Sequence, residues 1–156
     1  MQSSKDHCQR CKGCCKFAED ETYFAPIFTK EEKEKVDANF KKYKSIYQIE
    51  LKKQGNIYVC PLLDNDHLCT IYNMRPFDCK IWPFIFMKDQ NNNLVLACFD
   101  KDLCPHVEDM SEEEFNQLKN NTLDWIEENN IINFIKKNKD LIWPYEEDTF
   151  IIKEIV

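Results

Sequence analysis

Apolar positions recur at different intervals along the chain, and each interval predicts a different element. Thr29 followed by Glu32 matches a capping box, and Val36, Phe40, Tyr43 and Tyr47 then fall at helical spacing. This predicts a helix from about Lys30 to about Lys53, breaking near Ser45 and ended by Gly55. Ile57-Tyr58-Val59 reads as a short strand running into Cys60. Phe84 to Lys88 and Leu94 to Phe99 are rich in β-formers and flank the polar stretch Asp89 to Asn93, which predicts a hairpin. Ser111 with Glu114 is a second capping box, opening a helix whose apolar face is Phe115, Leu118, Trp125 and Ile126. Asn129-Asn130 divides it from a further helix, Ile131 to Lys139, with a basic last turn. Phe150 to Val156 is compatible with a final strand. Short strands with flanking helices make the expected class α+β, a small irregular domain.

Composition narrows the functional classes. A chain of 156 residues suggests a single domain with a small appendage. Its 28 acidic and 21 basic side chains give a net charge of −7, which argues against nucleic acid or an anionic membrane as partner. The exception is local: residues 1–16 carry Lys5, Arg10, Lys12 and Lys16 against Asp6 alone. Residues 1–10 contain no apolar run, which speaks against a signal peptide, and no stretch approaches the roughly 18 apolar residues of a membrane span. A cytoplasmic location is therefore expected. With only Gly13 and Gly55, no glycine-rich phosphate loop can be assembled.

Nine cysteines change the picture most: Cys8, Cys11, Cys14, Cys15, Cys60, Cys69, Cys79, Cys98 and Cys104. Reduced thiols at close spacing in a cytosolic chain favour metal over disulfides. Two cysteines separated by two residues can hold one ion from a single turn of backbone. The run Cys8-x2-Cys11-x2-Cys14-Cys15 has that spacing twice, and Gly13 supplies backbone freedom within it. Cys14 and Cys15 are adjacent, so their side chains cannot easily point the same way; at least one of them is expected at the centre, and its neighbour can serve another site or the core. Asp64-Asn65-Asp66 is a turn former that brings Cys60 and Cys69 across one loop; its carboxylates read as loop solvation. Arg75 precedes a proline and should be extended, Pro76 suits the first position of a helical turn, and Cys79 then lies near that turn's start, where backbone amides favour thiolate. Arg75 is a candidate for holding an anionic metal–thiolate centre or an internal carboxylate, a surface ion pair being the plainer alternative. Ile81 to Phe86 is apolar and suits either a shield around the centre or ordinary core. His7, His67 and His106 each lie within two residues of a cysteine, but nine thiols make a histidine ligand unnecessary.

These residues resemble the cysteine-cluster family with the CxxCxxCC signature, the YkgJ-like zinc- or iron-chelating domains. The resemblance rests on Cys8, Cys11, Cys14 and Cys15, on Cys60, on Cys69 with Ile71-Tyr72, and on Arg75-Pro76, Cys79 and Pro83-Phe84. It covers about residues 8 to 104. Where members commonly have arginine after the cysteine matching Cys79, this chain has Lys80, which keeps the charge and loses the guanidinium fork. The family is similar in one part to iron–sulfur flagellin lysine methylases, but no methyl-donor site is visible here. The resemblance implies metal binding.

The expected organisation is a cysteine-cluster domain over 1–110 and a helical extension over 111–156 that contributes no ligand. Cys8, Cys11 and Cys14 resemble the ligand run of cubane iron–sulfur proteins, with Cys79 as a candidate fourth ligand. A 4Fe-4S cluster is thus favoured, and zinc in sets of four thiolates is the alternative. No acid–base or nucleophile set stands outside the cysteines. The expected role is an electron-transfer, cluster-handling or structural module with a protein partner; a metal-dependent redox or group-transfer enzyme is the alternative.

Overall fold

The computed structural model describes residues 15–100 and 104–155, apart from the side chains of Pro105 and His106. Nine strands and five α-helices occur among these residues, and the class is α+β as expected. The strands form three antiparallel three-stranded sheets, ordered β1-β6-β5, β2-β4-β3 and β7-β8-β9. The chain divides near residue 81 into two compact units.

In the first unit, β1 (Lys16–Phe17), β2 (Ile27–Phe28), α1 (Lys30–Lys33), β3 (Phe40–Tyr43), β4 (Ile46–Ile49), β5 (Lys52–Gln54) and β6 (Ile57–Val59) are all short. The helix expected to reach Lys53 stops after one turn. Its capping box is real: Thr29 Oγ1 accepts from Glu32 N, and Glu32 Oε1 accepts from Thr29 N. Beyond it, the aromatic residues that matched helical spacing serve strands instead. Phe40 and Tyr43 lie on β3 and Tyr47 on β4, where aromatic side chains fit a pleated surface better than a crowded helix. Tight turns then set the register. Lys44 takes a left-handed φ of 54° between Tyr43 and its partner Ile46. Gly55, at φ 61°, opens the Gly55-Asn56 turn between Gln54 and its partner Ile57, so it turns a hairpin rather than ending a helix. Ala25, Phe28, Ile49 and Cys60 form a buried cluster, with Cys15, Phe40, Leu62, Leu63 and Ile71 packed against it. α2 (Phe77–Ile81) follows Arg75, whose φ of −54° and ψ of 144° are extended as expected before proline.

The second unit carries the predicted hairpin at its expected limits, β7 (Phe84–Lys88) and β8 (Leu94–Phe99). β9 (Thr149–Glu154) pairs antiparallel with β8 across a bulge at Leu96/Ala97. Trp143 covers the other edge of β7, donating to Phe86 O at 2.8 Å and accepting from Lys88 N at 2.9 Å. α3 (Pro105–Glu108), α4 (Glu112–Glu128) and α5 (Ile131–Lys137) complete it. Ser111 caps α4 by accepting from Glu114 N, and Asn130, at φ 54°, separates α4 from α5. The buried residues of α4 are Leu118, Thr122 and Ile126, while the Phe115 ring meets those of Phe84 and Phe150.

The two units share one loop design. Asp64 Oδ1 accepts from Asp66 N and Leu68 N, with His67 at φ 61°. Asp89 Oδ1 accepts from Asn91 N and Asn93 N, with Asn92 at φ 66°. In both, an aspartate side chain substitutes for a backbone acceptor and a left-handed residue three positions on closes the turn.

Candidate metal centre

Six of the nine candidate cysteines fall among the described residues; Cys8, Cys11 and Cys14, with His7, Lys5, Arg10 and Lys12, lie outside them. Cys15, Cys60, Cys69 and Cys79 belong to the first unit, Cys98 and Cys104 to the second.

Cys15 and Cys60 are brought together by the sheet. Lys16 pairs with Val59 and Phe17 with Tyr58, and the bond from Cys60 N to Cys15 O at 2.9 Å continues that ladder by one step. Residues so opposed share a face, with Cβ atoms about 5 Å apart. The sequence could not show this, because the pairing joins segments 45 residues apart in the chain, from Cys15 to Cys60. Cys69 stands opposite Leu63 on the far arm of the Asp64 turn, and Leu63 N donates back to Cys60 O at 3.2 Å. The loop between Cys60 and Cys69 is therefore the expected turn, with the Asp64 carboxylate spent on backbone amides.

Cys79 is the third residue of α2, near its start as the Arg75-Pro76 pair suggested. Lys80 N donates to Pro76 O at 3.0 Å, which forms the turn. The Arg75 guanidinium lies 4.0 Å over the centre of the Tyr72 ring, and its Nε donates to Tyr72 O at 3.0 Å. That stacking and bond fix the guanidinium plane four residues before Cys79. Two carboxylates anchor the turn to the segment around β2 and α1. Glu32 Oε2 accepts from Phe77 N at 2.6 Å, and Asp78 Oδ2 accepts from Ile27 N at 3.1 Å. Phe77 N, one of the amides expected to support thiolate at this turn, is thus engaged by a carboxylate. The capping box was legible in the sequence, but nothing in it signalled that the second oxygen of Glu32 reaches α2.

Cys98 differs from these. It lies inside β8, fully buried, and its thiol donates to Phe99 O at 3.3 Å. Burial pushes its pKa far above that of a free thiol, and the nearby sulfur of Cys104 and carboxylate of Asp100 push the same way. Cys104 is also buried, and its N–H donates to Asp100 O. The apolar block Ile81 to Phe86 enters the second unit's core, with Ile81, Phe84, Ile85 and Phe86 buried and the Trp82 ring stacked on Phe99 at 4.6 Å. The backbone of His67 closes the Asp64 turn, its N–H donating to Asp64 O at 3.0 Å.

Soft thiol donors on paired strands and short turns suit zinc or iron. Among the described residues, no three His, Cys, Asp or Glu side chains gather into a group that could hold a metal ion.

The model of one protein family matches residues 7–120, a span that takes in all nine cysteines. The chain belongs to the CxxCxxCC family. That family is described as a "Putative zinc- or iron-chelating domain", so metal chelation is the function that membership carries. No curated protein and no solved structure matches the chain. Among the described residues, no helix is long and apolar enough to cross a membrane.

Proposed function

We propose that this CxxCxxCC protein holds a 4Fe-4S cluster through cysteine thiolates and serves a protein partner in electron transfer or cluster handling. The observation that carries the reading is the juxtaposition of Cys15 and Cys60 on one face of the β1–β6 ladder. Cys15 ends the run Cys8-x2-Cys11-x2-Cys14-Cys15, so the ladder sets the last cysteine of that run beside Cys60. Cys69 and Cys79 belong to the same compact unit. The three-cysteine spacing at Cys8, Cys11 and Cys14, completed by a cysteine from elsewhere in the chain, favours iron–sulfur over zinc. When bound, a cluster would supply a one-electron couple. The chain's own residues supply thiolates, the fixed guanidinium of Arg75 against a net anionic thiolate centre, and apolar cover from the Phe28–Ile49 cluster. Arg75 fits this work better than lysine would, because a stacked planar guanidinium stays oriented.

Elemental analysis and an absorption spectrum of strictly anaerobic, iron-replete protein test this directly. A brown protein containing iron and sulfide, bleached by dithionite, is the expected result. A colourless protein with stoichiometric zinc and no iron would exclude the cluster and leave a zinc-chelating module.

A further inference from the structure

A thiol on a one-turn helix has no fixed direction of its own. Helices this short are unstable in isolation, because nucleation costs more than a single turn returns. α2 has five residues and follows an extended Arg75. Something outside α2 must therefore hold Cys79 in place if it is to meet a metal in a set geometry.

Glu32 has that reach. One of its oxygens closes the capping box on Thr29 N at 2.9 Å, and the other accepts from Phe77 N at 2.6 Å, 45 residues further on. Capping alone does not require the second bond, since α1 is a four-residue helix that buries no side chain. Asp78 returns the connection, accepting from Ile27 N. The turn bearing Cys79 is thus tied at two consecutive residues, Phe77 and Asp78, to one segment, Ile27 to Glu32. Both ties use a charged acceptor, which makes a shorter and stronger hydrogen bond than a neutral one.

We infer that Glu32 is a positioning residue for Cys79, its bridging carboxylate holding the α2 turn so that the thiolate is presented to the metal. The inference rests on Cys79 being a ligand. Groups that orient ligands typically change metal affinity by roughly 10- to 100-fold when removed.

The test uses the full chain and zinc(II) alone, which the same thiolates take up, in competition with a chromogenic chelator. Glu32→Ala should weaken zinc binding roughly tenfold or more. Glu32→Gln should fall between, because an amide keeps one acceptor oxygen where two are needed. Thr29→Ala removes the other half of the same capping box while leaving the Glu32 carboxylate on Phe77 N, and should leave zinc affinity unchanged, which separates positioning from loss of the cap. Exchange of the Phe77 amide, read without metal, should be faster in Glu32→Ala and show that the tie has gone. Combining Glu32→Ala with Cys79→Ser should cost no more affinity than Cys79→Ser alone, since one acts through the other. Unchanged zinc affinity in Glu32→Ala, with affinity lost in Cys79→Ser, would overturn the positioning role while leaving Cys79 a ligand. Unchanged affinity in Cys79→Ser would overturn the ligand assignment, and the positioning role with it.

Discussion

Cys60 and Cys98 are both buried, yet the units around them are built differently. In the first unit the strands run two to four residues and the α-helices four or five, and its elements are tied by side chains: Glu32 to Phe77, Asp78 to Ile27, Gln48 to the carbonyls of Tyr23 and Ala25. Two of its cysteines sit at element ends, Cys15 just before β1 and Cys60 just after β6. The second unit has strands of five and six residues, a 17-residue helix, and a core in which Phe84, Ala97, Cys98, Phe99 and Ile135 are fully covered. Cys98 is inside a strand and paired on both sides, with Phe84 and Phe150, as a small apolar residue would be. The contrast teaches that a cysteine's place within its element matters more than its burial. At an element end a sulfur can turn toward a shared centre, whereas inside a paired strand it is committed to the core on its own side.

The largest effect should come from removing metal. A unit of about 80 residues with such short elements has little core to spare, so metal binding should be coupled to its folding. Chelation, or Cys60→Ser, should strip protection from the Val59 amide in hydrogen exchange while the Leu96 amide keeps its own. Equal loss at both positions would erase the distinction between the units.

Phe84→Ala reverses the experiment. Phe84 is fully buried in β7, and truncation should cost about 3–5 kcal/mol in the second unit. Metal content, measured by elemental analysis at a temperature where the variant remains folded, should stay at the wild-type level. Its loss would show that metal holding depends on that core.

Thiol reactivity gives a finer comparison. In metal-free folded protein, iodoacetamide should modify half-buried Cys79 well before Cys98, by roughly tenfold or more, because Cys98 is both inaccessible and held as the neutral thiol. Equal rates, followed by mass spectrometry of peptides, would show that β8 opens readily.

The smallest effect concerns the twin turns. The pKa of Asp89 is held below its ordinary 3.8, chiefly by the bond from Asn93 N. A lowered folded-state value contributes stability above the unfolded value, and that contribution fades as pH falls through the folded one. Asp89→Asn should therefore lower stability modestly near neutral pH and converge with the wild type in acid. A constant difference in thermal melts across that range would remove the charge from the account.

The sequence by itself determined what depends on neighbours within a few residues. The caps at Thr29 and Ser111, the β7–β8 hairpin with its polar turn, the α4–α5 division at Asn130, and the Arg75-Pro76-Cys79 turn were all legible, because each is fixed by local hydrogen bonds and backbone preference. The cysteine spacing likewise carried the family and its metal-chelating character. Residues 34–54 depart from the expected helix: Val36, Phe40, Tyr43 and Tyr47, four, three and four residues apart, keep a helical period although the aromatic residues among them also favour strands and their period of two, and Gly55-Asn56 fits a helix end as well as a hairpin turn. Only tertiary structure decided between those periods, by pairing β3 with β4 and β5 with β6. It alone also set Cys15 against Cys60, tied Glu32 to Phe77 and enclosed Cys98 in a strand, since each joins residues far apart in the chain or depends on what packs around them.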